Sequence, residues 1–538
     1  MKTRWIRGLV VAGVAILLSL FFYYFHLFRP LEWKSWDLRL RLLANSFRSS
    51  KDIVLFLIDQ ESLNVYQQEQ GLSWPWPRQI YSAVIRYCQQ AQVKALVFDL
   101  IFSESSSYGV EDDEDFVRAM AAAGNVFLPV FLSSKDISSQ KISYQYLKRF
   151  SLNKEKIPEE AIFSFRSFTL PVKEMLLAAR GVGNVNFAPD DDGIYRRLPL
   201  FYSYNDLILP SLPLAVANYV KKELKTTTIP LDKSRRMIIR FYGPSGIYKS
   251  YSIASIINSY AQLAEGKTPQ ISPQEFKDKI ILIGGSAPGL LDLRPSPFSA
   301  VNPGVEIIAN ALDNLLQQDF IRLPADIFIL FLLTFLSLLT ALGASHLQGF
   351  WKTSLFFILC LALPGLGAWL SFSLNYWLVF IAPEFVVAVS FIGASLLNYS
   401  FEGRQRRFLK NVFRHYLNPH VIEKIIANPS LLQLGGEKRE ITSFFSDIAG
   451  FTTIAESLTP EELVKFLNEY LSEMTDIILS FGGTLDKYEG DAIIAFWNAP
   501  LELPDHALRA CRAALMCQQR LEVLGPDFEK RFGRRLSM

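Results

Sequence analysis

Four long apolar runs constrain this chain more than any other feature. They occupy residues 8–28, 327–345, 354–374 and 376–399 of 538, and each is near the ~20 residues that a helix needs to cross a bilayer core. Half of the chain is apolar, and concentration of that excess in four runs predicts a membrane protein rather than one large core. The first run follows Lys2, Arg4 and Arg7, exceeds a signal-peptide core in length and lacks a small-x-small cleavage site. It therefore reads as a retained anchor. Lys352 lies between the second and third runs, and Arg404, Arg406, Arg407 and Lys410 follow the fourth. Four crossings with both termini inside put all these basic flanks in the cytoplasm. The connection at Asn375 is almost absent, which predicts a tight helical hairpin.

This topology predicts a cytoplasmic N-terminus (1–7), an extracytoplasmic domain (29–325), a cytoplasmic linker (400–436) and a cytoplasmic domain (437–538), placed in the plasma (inner) membrane. Glu384 lies in the fourth run beside Pro383; it is either a functional acid at membrane depth or a side chain snorkelling outward. The net charge of +3, with no basic stripe among aromatics, gives no reason to expect nucleic acid as a partner. Cys88, Cys360, Cys511 and Cys517 have no metal or disulfide spacing. Cys511 and Cys517, six apart on a predicted helix, read as small apolar residues.

Between the first two runs, strand-like stretches such as 53–58 and 95–98 alternate with helical ones such as 78–90. That order predicts a βα sheet with helices on its faces. The stretch 279–286 ends in Gly284-Gly285-Ser286, which reads as a strand-to-loop turn rather than a phosphate loop. In the linker, Phe408, Val412, Tyr416 and Leu417 fall at helix spacing, but Pro419 and Pro429 exclude a long coiled coil.

The last hundred residues carry the chemistry. Asp447 follows a strand-like run, and Asp491, 44 residues later, precedes another. Two carboxylates brought together suit divalent cations with positions open for phosphate oxygens. A strand-ending Asp and a charged hairpin turn also occur in any α/β domain, so spacing alone leaves both readings open. The pattern continues as strand 441–445, helix 460–480, strand 484–488, strand 492–497 and helix 505–524. Leu463, Phe466, Leu467, Tyr470, Leu471 and Met474 form a core stripe, and Thr459-Pro460-Glu461-Glu462 is a helix start. This is the β-α-β-β-α opening of a ferredoxin-like α+β fold.

Phe445-Ser446-Asp447-Ile448-x-Gly450-Phe451-Thr452, Gly482-Gly483-Thr484-x-Asp486-Lys487-x-x-Gly490-Asp491, Ala499-Pro500 and Asp505-His506-Ala507 closely resemble the class III nucleotidyl cyclases. The resemblance implies two Mg2+ or Mn2+ ions held by Asp447, Asp491 and the Ile448 backbone carbonyl. It further implies attack of a ribose 3′-hydroxyl on the α-phosphorus, releasing pyrophosphate, in a homodimer with interfacial sites. Gly450, Phe451 and Thr452 are implied to bind substrate, and Lys487 to read the purine in the partner's site. A lysine donor suits adenine N1, whereas guanine wants an acceptor there; ATP is expected over GTP. Ile58-Asp59, Trp74-Pro75-Trp76-Pro77-Arg78, Phe98-Asp99, Asp292-Leu293-Arg294 and Pro303-Gly304-Val305-Glu306 resemble the second type of CHASE sensor domain, with Ile308 where that family often has His. The signal sensed is not implied.

The resemblance also implies a further catalytic segment with the remaining sheet, a second purine-reading residue and a transition-state Asn and Arg. None has a counterpart before Met538, so the chain by itself is expected to be inactive and a cyclase-like continuation is expected past Met538. The rivals are a catalytically silent membrane sensor or scaffold, and a guanylate cyclase.

Overall fold

The computed structural model describes residues 2–133, 144–221, 224, 226–290, 292–347, 349–413, 438–532 and 535–538. They fall into two compact units, Met1–Ala394 and Ser395–Met538.

The first unit is built on strands β1 (Ile53–Ile58), β2 (Ala95–Phe98), β3 (Val126–Ser133), β4 (Ser167–Thr169), β5 (Gly181–Asn184), β6 (Lys249–Ser252) and β7 (Ile280–Gly285). Their order is β6-β1-β7-β2-β3-β4, with β5 also on β3. Every pairing is parallel except β3 with β4. Strand residues alternate between two cores, which is why these stretches read as unbroken apolar runs. Val54, Phe56, Leu96, Phe98, Ile281 and Ile283 face one core; Ile53, Leu55, Ala95, Val97, Ile280 and Leu282 face the other.

The unit's helices include, in chain order, α1 (Lys2–Tyr24), α2 (Arg29–Leu43), α3 (Arg78–Gln90), α4 (Val110–Ala123), α5 (Leu212–Val220), α6 (Ile253–Ala264), α7 (Gly304–Gln317), α8 (Asp326–His346), α9 (Phe350–Ser373) and α10 (Ile381–Phe413), the last continuing into the second unit; a further helix, Gln60–Gln70, follows β1. Helices α3, α4 and α6 cover the first core, and α5 and α7 the second. Gly284 is a packing position, since a Cβ there would lie 2.6 Å from Val305 Cβ. Gly183 in β5 is tighter still: its Cβ would meet Leu212 Cα at 2.4 Å. Gly183→Ala therefore forces β5 from α5, an overpacking cost of about 1–3 kcal/mol. A lowered unfolding midpoint of the purified protein checks it; an unchanged one would show that the backbones part freely.

Helices α1, α8, α9 and α10 are long and apolar enough to cross a membrane, close to the four expected runs. Two boundaries differ. The fourth helix starts at Ile381, not 376, because residues 375–377 bind the segment leaving the sheet domain instead: Arg322 N–H donates to Asn375 O at 2.8 Å and Trp377 N–H to Arg322 O at 2.9 Å. Asn375 adopts φ 63°, and the Trp377 ring stacks on Trp36 at 4.2 Å. The tight hairpin is therefore a loop. At the other boundary the chain turns at His26 (φ 61°) and enters α2, with proline in its first turn. Glu384 is half-buried in the first turn of α10.

Helix α2 buries Glu32, Asp37 and Arg39. Asp37 meets Arg196, which is 1% exposed, through a two-pronged contact at 2.7 and 2.6 Å. Arg196 also donates to Asp192 at 2.9 and 2.8 Å and faces Asp190 at 3.4 Å.

The second unit contains β8 (Thr442–Ser446), α11 (Phe451–Ser457), α12 (Pro460–Ser480), β9 (Thr484–Glu489), β10 (Ala492–Trp497) and α13 (His506–Phe532). Its sheet runs β8-β10-β9, antiparallel throughout. The expected order of elements is present, with α11 added and α13 longer than 505–524. Thr459 and Glu462 form a reciprocal capping box on α12, satisfying orphan N–H groups. Phe466, Tyr470 and Met474 enter the core, with Leu467 and Leu471 packed at its margin. Cys517 is buried and Cys511 exposed, and all four cysteines are free. The linker stripe at Tyr416 and Leu417, and both linker prolines, lie outside the described residues.

Candidate active site

Antiparallel pairing of β8 with β10 aligns Ser446 with Ile493. It follows that Asp447, one residue past β8, and Asp491, just before β10, lie at the same end of the sheet. Gly490, at φ 68°, makes the turn between β9 and β10. The Ile448 N–H donates to Asp491 Oδ2 at 3.0 Å, holding that carboxylate across the gap between strands. Burial, followed by a side-chain contact with Asp447, pushes the Asp491 carboxyl above its ordinary range, while the Ile448 N–H pulls it down. Two like charges this close call for positive charge between them. The pair fits divalent cations on this ground, as oxygen ligands beside open solvent.

The other expected site residues divide. Ile448 is buried, and its carbonyl accepts from Phe451 N–H at 3.2 Å, which leaves one lone pair for a metal. Gly450 caps α11 in the left-handed region at φ 70°, turning Phe451 and Thr452 into the helix beside the acidic pair. Lys487 stands apart. It is exposed and aligned with Ile494, itself aligned with Phe445; this row lies on the sheet face opposite the buried Ile493, Ala495 and Trp497. Phe445 is 72% exposed, so that face is open in the single chain.

Tyr470 was missed as a site neighbour. Its phenol is pushed up to about 12, chiefly by burial, with Asp491 and Asp447 adding to the rise. The core-stripe pattern that identified it gives no hint of this, because a tyrosine hydroxyl at the stripe's edge does not change the period.

In the first unit the motif residues gather where β1, β2 and β7 end, the edge at which parallel sheets present ligand sites. Asp59 accepts from Ser62 N–H at 2.8 Å as an N-cap. Burial and then Asp292 push the Asp99 carboxyl up to about 7, with Arg294 opposing. A Cβ on Gly304 would lie 2.6 Å from Asp292 Oδ1, and Ile308 is buried against the sheet.

Comparison with known proteins agrees with both halves. The CHASE2 domain family model matches residues 11–347, and the adenylate and guanylate cyclase catalytic domain model matches residues 436–530. The chain belongs to the CHASE2 domain family and carries, after that domain, a class III adenylate/guanylate cyclase catalytic domain. Adenylate cyclase 1 of Rhizobium meliloti is 35% identical over 22% of this chain and 19% of its own length. Adenylate cyclase of Anabaena cylindrica is 33% identical over 24% and 23% respectively. The chain thus spans about a fifth of the length of these relatives. Among solved structures, the guanylyl cyclase Cya2 is 39% identical over 19% of this chain and 52% of its own, with a TM-score of 0.19.

Proposed function

We propose that this chain senses a signal and holds the catalytic metal ions in a membrane-bound adenylate cyclase, which converts ATP to 3′,5′-cyclic AMP and pyrophosphate in a homodimer. The observation that carries the reading is the convergence of Asp447 and Asp491, with the Asp491 carboxyl raised by burial and then by its neighbour. Asp447, Asp491 and the Ile448 carbonyl hold two Mg2+ or Mn2+ ions, which supply Lewis-acid stabilisation of phosphate charge and a more acidic ribose hydroxyl. The Ile448 N–H keeps Asp491 oriented. Gly450 lets the chain turn so that Phe451 and Thr452 border the triphosphate. Lys487, on the open sheet face, donates to adenine across the dimer. The four apolar helices cross the plasma (inner) membrane, with the CHASE2 domain outside as sensor and the catalytic domain in the cytoplasm.

Purine choice gives a test. In membranes carrying the protein, Lys487→Glu removes the donor to adenine N1 and supplies an acceptor for the guanine N–H. The ATP/GTP ratio of kcat/KM falls by about tenfold or more, the worth of one hydrogen bond to a charged group. An unchanged ratio, or wild-type preference for GTP, overturns the assignment of Lys487 and favours a guanylate cyclase. Absence of turnover with either nucleotide favours the silent sensor.

A further inference from the structure

We propose that the cavity between the sensor domain and the adjoining ends of the apolar helices binds an uncharged amphiphile drawn from the bilayer. This deepens the membrane-sensor reading above and rests on it. The cavity holds about 830 Å³, ample for a small organic ligand. Tyr23, Phe28 and Ala382 line it from the helix side, and Phe163, Phe187 and Tyr202 from the sensor side. Aromatic walls that begin at the helix ends suit a ring or unsaturated body with an apolar tail.

The charges of the wall exclude an ionic head. Arg197 meets Asp190 at 2.8 Å and Asp232 at 3.3 Å, Arg236 meets Asp190 at 3.2 Å, and Lys233 meets Asp326 at 2.6 Å. Arg29 faces Asp191 at 3.3 Å, and Glu32 is paired with Arg39 at 2.8 Å. At the buried pairs, those of Arg197, Arg236 and Glu32, an anion or cation would have to take one member and strand the other. Tyr202 backs the sensor-side wall with its hydroxyl fully buried and turned toward Asn184.

The occupant would touch the start of α10. Glu32, part of the wall, accepts at Oε2 from Phe380 N–H at 2.8 Å and Ile381 N–H at 3.0 Å, neutralising the open N–H groups of that helix.

The test uses the complete protein in phosphatidylcholine nanodiscs and 2-bromo-4-octylphenol, whose bromine quenches tryptophan on contact; Trp33 and Trp377 both line the cavity. Saturable quenching is expected, weakened about tenfold by Ala188→Phe, which fills the cavity from an exposed position. Octanol should reverse it, whereas octyl phosphate and octyltrimethylammonium should not. Quenching that rises without saturation, persists in that variant, or yields equally to the charged competitors overturns the proposal. Equal affinity for 4-ethylphenol overturns the membrane source. The readout needs no nucleotide turnover, so failure of the cyclase reading leaves this result standing.

Discussion

Asp491→Asn abolishes nucleotide cyclisation while making the metal-free protein more stable. The asparagine keeps an oxygen for the Ile448 N–H, so the strand ends stay in place, but it removes the charge beside Asp447. The expected loss in kcat is about a thousandfold, comparable to removal of one preorganised electrostatic group. The sign of the stability change follows from the raised Asp491 carboxyl. A folded-state value above the unfolded one means that the ionised carboxylate destabilises the fold at higher pH. That cost is relieved as pH falls through the raised value. Without metal, the wild type therefore gains stability on acidification, and the variant is more stable at neutral pH and lacks that gain. Thermal unfolding with chelator and with Mn2+ checks this: metal should raise the wild-type midpoint and leave the variant's nearly unchanged. A variant destabilised without metal would show that Asp491 is a structural residue.

Arg196→Ala has the largest expected effect on the first unit. Arg196 holds the α2 aspartate Asp37 through both oxygens, and removal of one partner of a buried pair costs about 3–5 kcal/mol. Burial already lifts the Asp37 carboxyl above its ordinary range, and Arg196 pulls it down. Without the guanidinium the carboxyl rises further, so the penalty is greatest at neutral pH and shrinks as acid neutralises Asp37. Arg196→Lys restores charge without the fork and should recover only part of the loss. Unfolding midpoints of the three proteins at two pH values test this. An alanine variant as stable as wild type would remove the network from the account.

Periodicity and length made much of this architecture legible. Strands β1, β2 and β7 are apolar on both faces because helices cover both, and the four long helices are apolar nearly all round. Helix α2 escaped notice because Glu32, Asp37 and Arg39 look solvent-facing, whereas their partners lie far along the chain: Arg196 is 159 residues from Asp37, and the Leu378 carbonyl that accepts from Arg39 is 339 residues away. The start of α10 was misplaced for a similar reason, since hydropathy does not distinguish a spanning Trp377 from one stacked on Trp36. At the site, the two aspartates were legible as a motif. The Ile448 N–H that positions one of them, and the Tyr470 ring beside them, depend on strand register and helix packing that no local pattern encodes.

The most direct measurement follows α-labelled ATP in membranes carrying the protein, with Mn2+ or with chelator, beside Asp447→Ala. The account predicts labelled cyclic AMP that requires the metal and disappears in the variant. Cyclic AMP formed equally with chelator, or undiminished by Asp447→Ala, would contradict it.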